Sequence, residues 1–154
     1  MFERYSERSR RAIFLARGAA LSAGANAIEP THLLAAALEV WPQGASSRES
    51  VLRELGFVLP SFRDAFTPGD INFSATLKPL LNTAVVRADQ LGHHRIRPEH
   101  LLLAFAEHPR FDRVLRDAGI RREELIASAT TAATIDDSPL AEPVQWDADD
   151  QKEE

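Results

Sequence analysis

The segment that decides the fold is IEPTHLLA at residues 28–35, which returns 68 residues later as IRPEHLLL at residues 96–103. The same shift places Ser6 on Ser74, so the match extends well beyond the segment itself. A duplicated unit of this length predicts two structural repeats that are related by a pseudo-twofold axis.

A second pair of segments confirms that the duplication continues. The sequence VLRELG at residues 51–56 returns as VLRDAG at residues 114–119, now with a shift of 63 residues. The first copy therefore carries about five extra residues, in the loop around residues 41–46.

Nearly every segment has the apolar spacing of a helix, and most segments end at a glycine or a proline. The predicted helices run from Ser6 to Gly24, from Pro30 to before Trp41, from Ser47 to Leu55, from Ser61 to Phe66, from Thr76 to Leu91, from Pro98 onward, from Phe111 to Ala118 and from Arg121 to about Thr134. No β-strand pattern of useful length occurs, and the predicted fold class is all-α.

The helices group into two four-helix repeats, which we expect to pack as one domain over residues 1–134. Repeat one covers residues 1–66 and repeat two covers residues 71–134. Residues 135–154 are predicted to form an acidic, disordered tail.

Pro79 conflicts with a helix that would begin at Ser74, because the proline ring clashes with the carbonyl four residues earlier. A helix that begins later, with Thr76 as its N-cap, removes the clash. We therefore predict the later start.

The charge of the chain is concentrated at its end. The net charge is −5, but residues 136–154 hold eight acidic residues and one lysine, which gives −7. The rest of the chain carries a charge of only +2.

The composition limits the class of protein and its location. The chain has no cysteine, which excludes disulfides, thiolate nucleophiles and cysteine-ligated zinc. Its first residues are charged and lack an apolar run, and no stretch approaches the roughly 20 apolar residues of a membrane span. We expect a cytoplasmic protein that has no membrane partner.

The sequence lacks the common catalytic motifs. None of the 7 glycines is followed by lysine, so no P-loop is present. The patterns G-x-G-x-x-G and G-x-S-x-G are also absent from the sequence. We predict that the chain is not an enzyme and that it needs no cofactor.

The histidines are the remaining candidates for catalysis or metal binding. His32 and His100 occupy equivalent positions, one turn into equivalent helices, which favours a structural role in a hydrogen bond to the preceding loop. His93 and His94 are predicted to face solvent, and the pair His94 and His100 lacks an obvious third ligand for zinc. No metal site is predicted, and a histidine-centred hydrolase remains a weaker alternative.

Arginines dominate the basic residues, with a cluster on the first helix at Arg8, Arg10, Arg11 and Arg17. A small all-α DNA-binding regulator is therefore an alternative function. Acidic residues are interleaved with these arginines, whereas a nucleic-acid domain should present a strongly basic face. We regard nucleic acid as the weaker partner hypothesis.

Together these segments resemble the N-terminal domain of the Clp family of protein unfoldases, the double Clp repeat. The opening MFERYSERSRRA at residues 1–12 is similar to the start of ClpC-type domains. Residues 24–34 and 92–102 match the hallmark of each repeat, and residues 51–56 and 114–119 match the third helix of each repeat. The resemblance covers about residues 1–130.

The resemblance implies a non-catalytic domain that captures substrate and adaptor proteins for an ATPase ring. The ATPase modules are not part of this sequence. The chain is either a free-standing Clp-repeat protein or a piece of a longer unfoldase. Protein substrates, adaptors and a Clp ring are its expected partners.

In ClpC-type members each repeat can hold a phosphorylated arginine. Carried over to this sequence, the hydroxyl that contacts the phosphate falls on Ser6 and Ser74, and the basic residue falls on Arg10 and Lys78. The carboxylate that binds the guanidinium falls on Glu99 in the second repeat, but the first repeat has Thr31 there. We expect any working pocket to belong to the second repeat.

The resemblance also implies an interaction surface near the N-terminus, where family members bind adaptors. The aromatic residues Phe2 and Tyr5 fall in that region. We predict that they contribute to a protein-interaction surface.

Overall fold

Seven α-helices make up most of the residues that the computed structural model describes, which are 2–56 and 69–136. In chain order the elements are α1 (Glu7–Ser22), β1 (Ala27–Ile28), α2 (Pro30–Val40), a 3-10 turn (Pro42–Gly44), α3 (Ala45–Leu55), β2 (Asn72–Phe73), α4 (Leu77–Gln90), α5 (Pro98–Ala106), α6 (Asp112–Asp117) and α7 (Arg122–Asp136). The predicted all-α class is confirmed. No helix in this part of the chain is both long and apolar enough to cross a membrane.

The predicted helices agree with the observed ones to within about two residues wherever the chain is described. The third begins at Ala45 instead of Ser47, and the last continues to Asp136. The predicted helix over residues 61–66 and the acidic residues 137–154 lie outside the described residues.

The helix α4, which follows β2, begins after Ser74, as predicted from the position of Pro79. It starts at Leu77 with Thr76 as N-cap, so Pro79 falls in the first turn, where a backbone N–H has no partner within the helix. The hydroxyl of Ser74 accepts a hydrogen bond from the N–H of Leu77 at 3.1 Å.

The core is centred on α2 and α5, which are apolar on nearly every side. Residues 33–38 of α2 and residues 101–105 of α5 are each at most 2% exposed. The two helices contact each other, and each also packs against three helices or turns of its own repeat. A helix that is buried all round needs such a shell of neighbours to cover it.

Short parallel pairings tie each repeat to the other. The strand β1 pairs with β2 in parallel, with Ala27 opposite Asn72 and Ile28 opposite Phe73. Tyr5 and Ile96 form an isolated parallel bridge, which is the equivalent pairing under the repeat shift. The segment before α1 therefore meets the start of α5, and the segment before α4 meets the start of α2.

Candidate functional site

The crossed pairing decides which of the predicted site residues come together. The N–H of Ser6 donates to the carbonyl of Ile96 at 3.0 Å, and the N–H of Ser74 donates to the carbonyl of Ile28 at 3.0 Å. Ser6 of repeat one thus lies at the start of α5, and Ser74 of repeat two lies at the start of α2. The predicted grouping of Ser74 and Lys78 with Glu99 in one pocket of the second repeat is therefore wrong, because Ser74 lies at the start of α2 and Glu99 lies at the start of α5.

Ser6 and Glu99 line the same cavity, which has a volume of about 320 Å³. It lies where the N-termini of α1 and α5 converge. Its lining residues are Ser6, Glu7, Arg8, Pro42, Arg97, Pro98, Glu99 and Ala132.

A second cavity of about 430 Å³ continues from the first along α7. The two share Arg8, Pro42, Glu99 and Ala132, so they form one continuous depression, which we call the composite groove. Arg8 comes from repeat one and Glu99 from repeat two. Neither repeat could form this groove alone.

Glu99 is the buried acidic group of the composite groove, with only 5% of its surface exposed. The hydroxyl of Ser128, on α7, donates a hydrogen bond to its Oε2 atom. The same hydroxyl oxygen accepts a hydrogen bond from the indole Nε1 of Trp41 at 3.3 Å. This chain of three side chains fixes the carboxylate at the wall of the groove.

Ser6 has the capping role expected of a serine before a helix. Its hydroxyl oxygen accepts the N–H of Ser9 at 3.2 Å, and the two hydroxyls are also 3.2 Å apart. Helix capping by Ser6 is confirmed, and its contact with a ligand stays a prediction.

The basic residues that line the composite groove are Arg8 and Arg97, and not Arg10. The Arg10 side chain is 9% exposed, and its guanidinium donates to the carbonyls of Phe2 at 3.2 Å and Glu3 at 3.1 Å. Arg10 does not line either cavity, whereas the exposed Arg8 lines both. The prediction that Arg10 serves the pocket is therefore wrong in this structure.

The opposite side of the molecule holds the other three predicted residues. The Ser74 hydroxyl lies 3.1 Å from the Thr76 hydroxyl and caps α4, while Lys78 is exposed and Thr31 is half-buried at the start of α2. Since threonine carries no charge, Thr31 cannot supply at the start of α2 the carboxylate that Glu99 supplies to the composite groove.

The aromatic residues of the N-terminus belong largely to the core. Tyr5 is only 4% exposed, and its burial raises the pKa of the phenol to about 12. The prediction that Tyr5 contributes to a surface is wrong. Phe2 is half-buried, with its ring edge-on to Tyr5 at 4.8 Å and to Phe73 at 5.9 Å.

The equivalent histidines cap the starts of α2 and α5. The Nδ1 atom of His32 accepts the N–H of Glu29 at 2.9 Å, and Nδ1 of His100 accepts the N–H of Arg97 at 2.8 Å. The predicted structural role is confirmed. Burial lowers the pKa of His32, although the nearby Glu29 carboxylate opposes this shift.

The two histidines that were predicted to face solvent differ from each other in burial. His94 is exposed, but His93 is 7% exposed and its Nδ1 lies 3.0 Å from Nε2 of His100. The prediction was wrong for His93, because the loop before α5 folds inward onto the core. Within residues 2–56 and 69–136, no group of three or more potential ligands could hold a metal ion.

The structure thus defines a duplicated all-α domain with a composite groove between its repeats. The sequence matches the Clp repeat (R) N-terminal domain family over residues 4–117 and over residues 72–139. This chain therefore belongs to the Clp repeat N-terminal domain family.

Individual relatives are longer than this chain. It is 32% identical to an uncharacterized protein of Mycobacterium tuberculosis over 143 residues, which cover 87% of this chain and 56% of the relative. It is 30% identical to the chaperone protein ClpB of Pseudomonas putida over 159 aligned residues, which cover 93% of this chain and 18% of ClpB. The chain thus spans just over half the length of the mycobacterial relative.

A solved structure agrees with the fold. The N-terminal domain of the chaperone ClpD from Arabidopsis thaliana is 27% identical and superposes with a TM-score of 0.60. The match covers 86% of this chain and 96% of the ClpD domain.

Proposed function

We propose that this chain is a non-catalytic protein-binding domain of the Clp unfoldase system, and that the composite groove binds a phosphorylated arginine on a substrate or adaptor protein. The observation that carries the proposal is that Ser6 and the buried Glu99 line one cavity at two converging helix N-termini. A phosphoguanidinium group has a negative end and a positive end, and this cavity offers a partner for each.

The negative end fits the helix starts. Backbone N–H groups of the first helical turn and the positive end of the helix dipole favour a phosphate. Arg8 adds a positive charge at the same place, since it lies in the first turn of α1 and lines the cavity.

The positive end fits Glu99. A carboxylate pairs with a guanidinium through charge-assisted hydrogen bonds, which are stronger inside a partly dry cavity than in water. The Ser128 hydroxyl occupies one oxygen of this carboxylate and leaves hydrogen-bonding capacity on the other. We therefore assign the guanidinium contact to Glu99.

The two sides of the pseudo-symmetric domain differ in the charge of the residue at the position of Glu99. The side that contains Ser74, Lys78 and Thr31 has a neutral residue where the composite groove has Glu99. We propose one phosphoarginine site per chain, at the groove that contains Glu99.

Isothermal titration calorimetry with free phosphoarginine tests this proposal. We expect saturable binding by the natural chain and a loss of at least about tenfold in affinity for Glu99→Gln, since a charged pairing is replaced by a neutral one. The matched control is Thr31→Val on the opposite side, which should bind normally. Binding that survives Glu99→Gln and is lost in Thr31→Val would refute the assignment.

The burial of His100 supports a non-catalytic role. His100 is fully buried and its two ring nitrogens face Arg97 N–H and His93. It therefore lacks access to a substrate. The groove then serves recognition, and the partner is a substrate, an adaptor or a Clp ring in the cytoplasm.

No observation favours the DNA-binding alternative. Of the four arginines on α1, Arg8 and Arg11 are exposed. The guanidinium of Arg10 donates to backbone carbonyls, and that of Arg17 donates to the carbonyl of Gly69. These residues do not form one basic face. An electrophoretic shift of duplex DNA that weakens with salt would revive the alternative.

A further inference from the structure

Two buried histidines form a contact that the proposed function does not use. His93, in the loop before α5, is 7% exposed, and His100, in the first turn of α5, is fully buried. The Nδ1 atom of His93 lies 3.0 Å from Nε2 of His100. On its other side, Nε2 of His93 lies 3.5 Å from the hydroxyl oxygen of Thr130 on α7. The histidine pair therefore lies between α5 and α7.

The hydrogen-bond partners fix the position of the proton on each ring. The backbone N–H of Arg97 can only donate, so Nδ1 of His100 accepts and carries no proton. The proton of a neutral His100 then lies on Nε2, which donates to Nδ1 of His93. His93 in turn carries its own proton on Nε2, toward Thr130. The network holds two ring protons and has no place for a third.

A further proton on either ring would place two N–H groups face to face. On His93 it would occupy Nδ1, which faces the Nε2 proton of His100 at 3.0 Å. On His100 it would occupy Nδ1, which faces the N–H of Arg97 at 2.8 Å. Buried donors without an acceptor are costly. The contact between the rings therefore persists only while both rings are neutral.

The charged residues beside the pair do not favour a further proton. Of the described residues, they are Arg4 of the N-terminal segment, Asp89 of α4, Arg95 and Arg97 before α5, and Glu99 of α5. Arg4 donates to the backbone carbonyl of His93 at 3.2 Å and pairs with Asp89 at 2.8 Å. On α7 the group that faces His93 is the uncharged hydroxyl of Thr130. Cations thus outnumber anions around the pair.

The two helices that the pair joins also form the composite groove. Glu99 precedes His100 in α5 and Thr131 follows Thr130 in α7, and both Glu99 and Thr131 line the groove. Separation of α7 from the start of α5 would therefore widen the groove. The position equivalent to His93 in repeat one is Ala25, at the same shift of 68 residues, so the start of α2 lacks such a pair.

We propose that His93 and His100 form a pH-sensitive contact between α5 and α7, and that proton uptake by His93 in mild acid opens the composite groove. His93 takes up the proton because it is the more exposed of the two rings. The open state exposes its ring to water, where histidine titrates at about pH 6.5. An open state that binds this proton, against a closed state that does not, gains about tenfold in population between about pH 7.5 and pH 5.5. No ligand is needed for this opening.

Amide hydrogen exchange of the full chain, corrected for the intrinsic effect of pH on exchange, tests the proposal. Between about pH 7.5 and pH 5.5 we expect the opening of residues 93–100 and 126–134 to increase about tenfold. His93→Asn keeps an acceptor for the Nε2 proton of His100 but does not titrate, so the increase should be less than about threefold. The matched control is His94→Asn, at the exposed neighbouring position, which should keep the tenfold increase.

The contrary outcomes are equally specific. No increase in the natural chain, or the same increase in His93→Asn, would overturn the proposal. Ring ¹⁵N chemical shifts of the natural chain give a second test if His93→Asn fails to fold. We expect both rings to carry their proton on Nε2 alone at about pH 7.5. A doubly protonated His93 at about pH 5.5, in a chain that keeps residues 93–100 protected, would also overturn the proposal.

Discussion

Single residues at repeated positions have the same structural role in the two halves, and the histidines are the clearest example. His32 and His100 each accept the backbone N–H of the residue three positions earlier. The ring nitrogen replaces the capping oxygen that a serine or aspartate would supply. Glu29 and Arg97 at the N-cap positions are then free to differ between the repeats.

We predict that His100→Ala destabilises the protein by about 2–4 kcal/mol, because it leaves a cavity in the core and an unpaired N–H on Arg97. Urea unfolding followed by circular dichroism measures the change. The control is His94→Ala, an exposed position, where we expect a change within about 0.5 kcal/mol. An equally stable His100→Ala variant would contradict the structural role.

His32 should make stability depend on pH. Its folded pKa is lowered from 6.5, so the unfolded chain takes up a proton first as the pH falls. The contribution of His32 is therefore complete above pH 6.5 and is lost as the pH falls toward the folded pKa. His32→Asn keeps an acceptor for the Glu29 N–H but does not titrate.

We predict that the free energy of unfolding of His32→Asn falls less between about pH 7 and pH 5 than that of the natural chain. Urea titrations at several pH values compare the two slopes directly. Identical slopes would show that His32 titrates alike in the folded and unfolded chains, which the burial of its ring does not allow.

Residue identities were easier to predict from sequence than residue groupings. Ser6 and Glu99 could be named because the repeat and the family pattern mark them. Arg8 was missed because it has no counterpart in the second repeat, where the equivalent position is Thr76. Ser128 and Trp41 were missed because a hydrogen bond between residues 87 positions apart has no local sequence pattern.

At the scale of elements, the ends of α4 and α5 and the start of α7 are joined by one carboxylate. Glu107 accepts hydrogen bonds from Arg87, the shortest at 2.6 Å, and from Arg122 at 3.0 Å. Glu107 is only 19% exposed, so these pairs are less screened than those on the open surface. The hydrogen bonds from Arg87 lower the pKa of Glu107, and those from Arg122 add to this shift.

We predict that Glu107→Gln destabilises the protein by about 1–2 kcal/mol at pH 7. The folded pKa of Glu107 lies below 4.5, so its contribution is present above that pH and is lost as the pH falls through the folded value. The difference between the variant and the natural chain should therefore shrink in acid, which urea unfolding at pH 7 and in acid would measure.

The matched control is Asp117→Asn on α6, which breaks the exposed pair with Arg113 at 3.6 Å. An exposed pair one helical turn apart contributes only about 0.3–0.5 kcal/mol. A larger loss in Asp117→Asn than in Glu107→Gln would contradict the ranking of the two ion pairs by burial.

Helices were predictable from sequence because their signals are local. Ser6, Pro30, Pro98 and the glycines after the helices act within one turn of the chain. The strands β1 and β2 were not predictable, since two residues are too few for a periodic pattern. Their pairing partner also lies in the other repeat, which the sequence does not indicate.

At the scale of the whole molecule, the two repeats exchange their leading segments and share a core. The strand pairing of residues 27–28 with 72–73 and the bridge from Tyr5 to Ile96 both cross between repeats. The central helices α2 and α5 also pack on each other. Each repeat alone would therefore expose a large part of its apolar surface.

We predict that residues 1–70 alone do not unfold cooperatively, because α2 would lose its contact with α5 and the N-terminal segment would lose Ile96. Urea titration followed by circular dichroism provides the test, with the full chain as control. A sigmoidal transition of the fragment at the midpoint of the full chain would contradict the shared core.

The duplication also explains why the composite groove is asymmetric. The composite groove takes Ser6 and Arg8 from the first repeat and Glu99 and Ser128 from the second. Equivalent positions on the opposite side carry Ser74, Thr76 and Thr31. A repeated backbone thus carries Glu99 at the start of α5 and the uncharged Thr31 at the equivalent position of α2.

The proposed phosphoarginine site is formed by residues of both repeats. Amide chemical shifts of the ¹⁵N-labelled chain, recorded during a titration with phosphoarginine, show which residues respond to the ligand. We expect saturating shifts at residues 6–8 together with Arg97 and Glu99, and their loss in Glu99→Gln. Shifts confined to residues 74–78, Glu29 and Thr31, or no saturable shift at all, would refute the shared site.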